Sequence, residues 1–283
     1  MTYGFLPATK EEFDRSGIGV PDFVYVSGDA YVDHPSFGAA IITRILDAAG
    51  FSVAVLAQPN FRSTEDFMRY GKPRLGFLVS SGNVDSMVAH YTAAKKKRSD
   101  DWYSPGRRAG LRPDRAVIVY TNRIREAYGD IPVIIGGLEA SLRRFAHYDY
   151  WSDKVRRSIL VDSRADILSY GMGENSIRRI AELLARGVPV KKIRDVRGTA
   201  YLCRRGEKLN FDPVRGTREE PEGYDYDELK TSKAAYAAAF AEQYANNDAV
   251  NGRALVEYYD DRMLAVNPPA FPLEREELDR VYA

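Results

Sequence analysis

Residues 23–50 read FVYVSGDAYVDHPSFGAAIITRILDAAG, and this stretch decides the fold class. Residues 23–26 are a short run of aromatic and β-branched side chains, closed by the turn Ser27-Gly28-Asp29. Residues 37–49 then set Ile41, Ile42, Ile45, Leu46 and Ala49 along one helical stripe, which Gly50 stops. Strand, glycine-containing turn, helix: the same order recurs down the chain without an exact repeat. Further strands are expected at 52–57, 75–79, 132–135 and 165–170. Helices are expected at 64–70 (N-cap Ser63 or Thr64), 84–94, 115–128 and 176–185. This alternation predicts an α/β fold: a Rossmann-like open, mostly parallel sheet with helices on both faces.

Open parallel sheets bind ligands where the turns gather at the carboxyl ends of the strands. Four turns rich in glycine and small polar residues follow Val26, Val79, Ile135 and Tyr170. The first holds the densest group of functional side chains: Asp29, Tyr31, Asp33, His34, Ser36 and Gly38. Carboxylate beside imidazole suits metal ligation or proton transfer. Equally, Ser36 can cap the helix while Asp29 and Asp33 bind turn amides. The segment lacks the G-x-G-x-x-G spacing that admits a dinucleotide pyrophosphate. It also lacks the D-x-H-x-x-G pattern of cobalamin modules. Tyr31 stands where the cobalt-ligating histidine would be, counting from Asp29, which leaves cobalamin only binding by shape.

The third turn supplies Gly136, Gly137, Glu139 and Ser141, followed at once by His147, Tyr148, Asp149, Tyr150 and Trp151. That run suits a stacking platform or a buried interface. Arg143, Arg144, Arg156 and Arg157 would give it a positive groove. The fourth turn supplies Gly171, Gly173 and Glu174; glycines before a helix suit an anion, but Glu174 would repel one and is better placed for a ligand hydroxyl or turn amides. These turns are expected to line one crevice carrying Asp29, Tyr31, His34, Glu139 and Glu174, flanked by 147–151. No catalytic set is nominated, because none of the three histidines has a G-x-S-x-G partner.

Composition narrows the classes further. Across 283 residues, 41 Lys and Arg face 40 Asp and Glu, which argues against a dedicated nucleic-acid or membrane-surface binder. No apolar run approaches the roughly 18 residues of a membrane span. A single cysteine, Cys203, fits a reducing cytoplasm and excludes an all-cysteine metal site from this chain alone. The stretch 95–113 reads as a basic surface loop. Residues 188–196 and 198–203 read as an added edge strand, 204–229 as a polar linker, and 230–283 as a helical extension containing a strand at 262–266. Tyr236, Phe240 and Tyr244, four apart, read as a packing face of its helix.

The words GDAYVDHPSFG (28–38), GKP (71–73), GGLEASLRRFAHYDYWS (136–152), VRRSILVD (155–162), IRDVRGT (193–199) and VNPPAFP (266–272) together resemble the YgiQ family of radical S-adenosylmethionine (SAM) proteins, essentially end to end. The resemblance implies a cobalamin-binding-like α/β domain ahead of a radical SAM barrel. It also implies a [4Fe–4S] cluster and SAM held by a C-x-x-x-C-x-x-C motif that this sequence lacks. On that footing the chain is expected to be an accessory domain, cut off before its cluster site, with the missing domain as its partner and an unknown substrate. The alternative is a stand-alone binding module for a nucleotide, a cobalamin-like ligand or RNA.

Overall fold

Alternate residues of the first strand enter opposite cores. Phe23 and Tyr25 pack into one apolar layer, Val24 and Val26 into the other, as a period-two strand covered on both faces requires. The computed structural model describes residues 5–282. Helix α1 (Lys10–Arg15) precedes β1 (Phe23–Ser27), then come α2 (Gly38–Ala48), β2 (Val53–Ala57), β3 (Gly76–Ser80), α3 (Ser86–His90), α4 (Ala116–Tyr128), β4 (Val133–Ile135) and α5 (Gly137–Leu142). A hairpin of β5 (His147–Asp149) and β6 (Lys154–Arg156) leads to α6 (Ile159–Ser163), β7 (Ile167–Ser169) and α7 (Glu174–Ala185). The remainder is β8 (Thr199–Arg204), β9 (Tyr224–Asp225), α8 (Tyr226–Thr231), α9 (Lys233–Ala245), β10 (Leu255–Tyr259), β11 (Arg262–Val266) and α10 (Arg275–Tyr282).

Nine strands form one sheet in the order β2-β1-β3-β4-β7-β8-β11-β10-β9. The first five run parallel, so their carboxyl ends share one edge. Ile42, Leu46, Ile177, Ile180 and Leu184, from α2 and α7, cover one face. Tyr120 and Ile124 of α4 with Ile159 and Leu160 of α6 cover the other. The expected mostly parallel α/β sheet is therefore present.

Several local expectations give way to tertiary structure. Residues 64–70 form only a 3₁₀ turn at Asp66–Met68. The third helix shrinks to Ser86–His90, where the Asp85 side chain caps the amides of Met87 and Val88. Residues 188–196 hold a 3₁₀ turn at Val190–Lys192 instead of a strand. Strand β8 is not at an edge: it runs antiparallel between β7 and β11. The stretch read as linker and helical extension also supplies β9, β10 and β11 to the same sheet. Its helix breaks into α8 and α9 at Ser232, which caps α9.

Candidate functional site

The turns after β1, β3, β4 and β7 converge on one crevice at the carboxyl edge, enclosing about 290 Å3. Asp29, Asn83, Gly137, Gly173 and Glu174 contribute to its rim, while Leu78, Ile134, Ile41, Ile42 and Ile177 give it an apolar wall. Glycine is required at two points. A Cβ on Gly82, whose φ is +103°, would collide with the Asp29 carboxylate, and Gly137 takes φ +79° beside Ser80.

Asp29 is engaged by the protein itself. Its Oδ1 accepts from Arg112 at 2.7 Å and its Oδ2 from the Asn83 amide at 2.6 Å. Arg112 is 1% exposed; its other nitrogen donates to Asp101 at 2.6 Å, and it also reaches the Ser81 carbonyl at 2.8 Å. Burial raises the Asp29 carboxyl above its usual range despite the Asn83 amide and Arg112. For Asp101, burial acts in the same direction, but the Arg112 hydrogen bond and charge with the Tyr103 amide bring it below. The stretch 95–113, read as a surface loop, is thus pinned to the strand ends through a buried arginine. Nothing in its basic sequence singles out Arg112; flanking Leu111 and Pro113 are the only local hint of burial.

The strand-end serines are also engaged. Ser27 Oγ accepts from the Asp29 amide at 3.1 Å, Ser80 Oγ accepts from the Tyr25 hydroxyl at 3.0 Å, and Ser169 and Ser176 hydroxyls pair at 2.7 Å. Two features at the rim are less fully engaged. Helix α2 has Phe37 at its N-cap and no side-chain cap. Ser36 therefore does not cap it; its carbonyl instead accepts from the Asn83 side chain at 3.2 Å. Glu174, 8% exposed, has an Oε2 buried with no hydrogen-bond partner among the described residues.

The other sequence-predicted residues lie elsewhere. Tyr31, half-buried, has its phenol pushed up to about 12, by burial first and by the Asp33 charge next. Asp33 pairs with Arg44. His34 is exposed, and its Nδ1 accepts from the Ser36 amide at 3.2 Å. None of the three lines the crevice. Glu139 does not face the rim: it is fully buried and accepts from the amides of Ser86 at 2.8 Å and Val117 at 3.1 Å, tying α3 to α4. Burial raises its carboxyl. Ser141 Oγ meets the Gly171 amide at 3.4 Å, while Gly38, Gly136 and Gly171 line the crevice.

The run 147–151 forms a separate clamp rather than a flank. Asp149 pairs with Arg115 at 2.7 Å, Tyr150 donates to the Ala93 carbonyl at 2.8 Å, and Lys95 lies 4.5 Å over its ring. Trp151 packs edge-on to Tyr150 and Tyr91. Tyr148 is exposed, and its backbone amide donates to the Tyr236 hydroxyl of α9 at 2.9 Å. Burial pushes His147 down to about 4, leaving it neutral against the Phe145 carbonyl. Aromatic density here closes a hairpin onto the 90–97 loop.

A family signature described as radical SAM N-terminal matches residues 5–283. The chain belongs to the radical SAM N-terminal family. A UPF0313 protein of Clostridium botulinum (strain 657 / Type Ba4) is 54% identical over 279 residues, covering 99% of this chain and 42% of its own length. A UPF0313 protein of Geobacter sulfurreducens is 51% identical over 279 residues, covering 99% of this chain and 45% of its own length. The chain thus spans under half the length of these curated relatives and corresponds to a UPF0313 (YgiQ-type) amino-terminal region. Among solved structures, the radical SAM methyltransferase TsrM from Kitasatospora setae is 17% identical, with a TM-score of 0.42, over 70% of this chain and 30% of that one. Among the described residues, no helix is long and apolar enough to cross a membrane.

Proposed function

We propose that this radical SAM N-terminal chain is an accessory module, whose crevice holds a small ligand for a cluster-bearing domain elsewhere in the full-length polypeptide. The observation that carries this is the crevice itself: four strand-end turns around an apolar wall, with polar handles left at the rim. A cavity of about 290 Å3 lies at the low end of ligand pockets, about 300–1,000 Å3, which favours a small molecule over a corrin.

The residues present do not fit a [4Fe–4S] cluster. Among the described residues no group of three or more His, Cys, Asp or Glu is placed to hold a metal. Cys203 is buried, donates to the Met263 carbonyl at 3.6 Å, and is pushed up to about 11 by burial, the reverse of a ligating thiolate. What these residues do is shape an apolar-walled recess and fix its rim through the Arg112 pairs.

Anaerobic reconstitution of this chain and of the C. botulinum relative with iron and sulfide, under one protocol, tests the division of labour. The relative is expected to hold a cluster and release 5′-deoxyadenosine from SAM, and this chain to do neither. Stoichiometric cluster uptake by this chain, or a relative that never cleaves SAM, would overturn the reading.

A further inference from the structure

The handles left at the crevice have opposite polarity. Helix α2 runs 11 residues, and its first-turn amides have no intrahelical acceptor and no side-chain cap, which makes its start a site for negative charge. The Gly38 amide has only Asn83 Oδ1, at a long 3.4 Å, and both Gly38 and Ala39 line the crevice. Glu174, on the same crevice, offers the reverse: a buried carboxylate with no donor to its Oε2. Arg178, one turn further along α7, faces Glu182 at 3.8 Å instead. An ionised carboxylate out of water is costly without a partner. The Ser27 and Ser80 hydroxyls each already accept from the protein and Ser169 pairs with Ser176; being neutral, they do not select for charge as the α2 start and Glu174 do.

The start of α7 packs on α2, where a Cβ on Gly173 would sit 3.4 Å from Ile42 Cδ1, and Gly38, Ala39 and Glu174 all line the one crevice. Ile41, Ile42, Leu78, Ile134 and Ile177 provide the apolar wall beside them.

We propose that the crevice takes a small zwitterion, an α-amino acid with an apolar or aromatic side chain. Its carboxylate sits on the α2 amides, its ammonium on Glu174 and its side chain on the isoleucine wall. The proposal rests on reading the crevice as the ligand site and adds the ligand's class. A lone anion would leave Glu174 uncompensated, and a lone amine would leave the α2 amides empty; only a molecule carrying both groups answers both.

Calorimetric titration of this chain with L-phenylalanine, L-leucine, phenethylamine and 3-phenylpropionate separates the handles, because the last two lack the carboxylate and the amine respectively. At least one amino acid is expected to bind about tenfold or more tighter than either single-handled probe. Glu174→Gln is expected to close the gap between that amino acid and 3-phenylpropionate, by weakening the first and by relieving the repulsion that an ionised Glu174 exerts on the second. Equal binding of all four, no binding of either amino acid at millimolar concentration, or an unchanged ratio in Glu174→Gln would overturn the assignment. The wild-type comparison decides the matter even if the variant misfolds. Such a failure leaves the reconstitution comparison intact, since that experiment reads iron and SAM cleavage rather than occupancy of the crevice.

Discussion

At the end of β1 the Asp29 carboxylate is closed in by Arg112 and the Asn83 amide, whereas after β7 the Glu174 carboxylate has a buried oxygen with no partner among the described residues. Both belong to one edge of one sheet, and both are almost fully buried. The difference lies in what surrounds them. The first turn is crossed by the 95–113 stretch, which brings an arginine to neutralise it; the fourth is walled by aliphatic side chains of α2 and α7. A carboxylate that the fold has already satisfied has little left for a ligand. One that the fold leaves unsatisfied is a standing cost that binding can relieve. The density of polar residues in the sequence, highest around Asp29, therefore marks structural cross-linking here, and the carboxylate left without a partner among the described residues lies at the sparser turn.

Removing the arginine should break the first member of this pair most severely. Arg112→Met deletes the cation shared by Asp29 and Asp101 and leaves two buried carboxylates facing each other. Breaking one side of a buried ion pair costs about 3–5 kcal/mol, so urea denaturation of the variant should show a loss of that order. The 95–113 stretch should also become protease-sensitive, because Arg112 is what ties it to Ser81 and Asp29. A loss below about 1 kcal/mol, typical of an exposed pair, would mean that the first turn is no better engaged than the fourth.

Glu257 is an intermediate case that sharpens the comparison. Fully buried on β10, it accepts from the Ala146 amide at 2.8 Å and the Tyr259 hydroxyl at 2.6 Å through Oε2, while Oε1 has no partner among the described residues. Burial raises its carboxyl from 4.5 to about 7. A carboxyl raised in the fold favours the folded state when protonated. Its contribution is therefore complete below the unfolded value of 4.5 and is lost as pH climbs through about 7. At 1.36 kcal/mol per unit the loss is about 3 kcal/mol. Glu257→Gln keeps an acceptor for both donors and removes the titration. Urea midpoints on either side of that window should fall for the wild type relative to the variant; parallel profiles would show the carboxyl to be unperturbed.

How much of this was legible beforehand follows the range of each interaction. The stretch 23–50 carried the βα unit because a buried parallel strand and an amphipathic helix are local patterns. The convergence of four turns then follows from parallel topology. Glu139 was misplaced because sequence shows that it begins a helix, α5, but not that two other helices, α3 and α4, present their amides to it. The 147–151 run was misplaced because aromatics and charges pack onto loops as readily as they bind ligands, and its contacts with Ala93 and Lys95 lie more than fifty positions away. Strands β9–β11 were hidden by the polar stretch before them, although 262–266 itself reads as a strand. Arg112 lay beyond local reasoning altogether, since its partners are 83, 31 and 11 residues distant.

The smallest expected effect concerns Glu174 and carries the contrast on its own. Glu174→Met replaces the carboxylate by an apolar chain of similar length, the same replacement as at Arg112. At Arg112 it strands two charges; at Glu174 it removes one that has no partner. Two terms oppose each other here. The carboxylate sits in the first turn of α7, where the helix dipole favours negative charge by about 0.3–1 kcal/mol. Against that stands the cost of holding an unpaired polar group out of water, about 1–3 kcal/mol. The balance predicts that Glu174→Met leaves the ligand-free chain unchanged or more stable by about 1 kcal/mol, in keeping with binding residues that are retained at some expense to stability. Urea denaturation side by side with Arg112→Met reads both signs in one experiment. If Glu174→Met instead loses more than about 2 kcal/mol, the carboxylate is holding the fold together as Asp29 does, and the two turns are not different in kind.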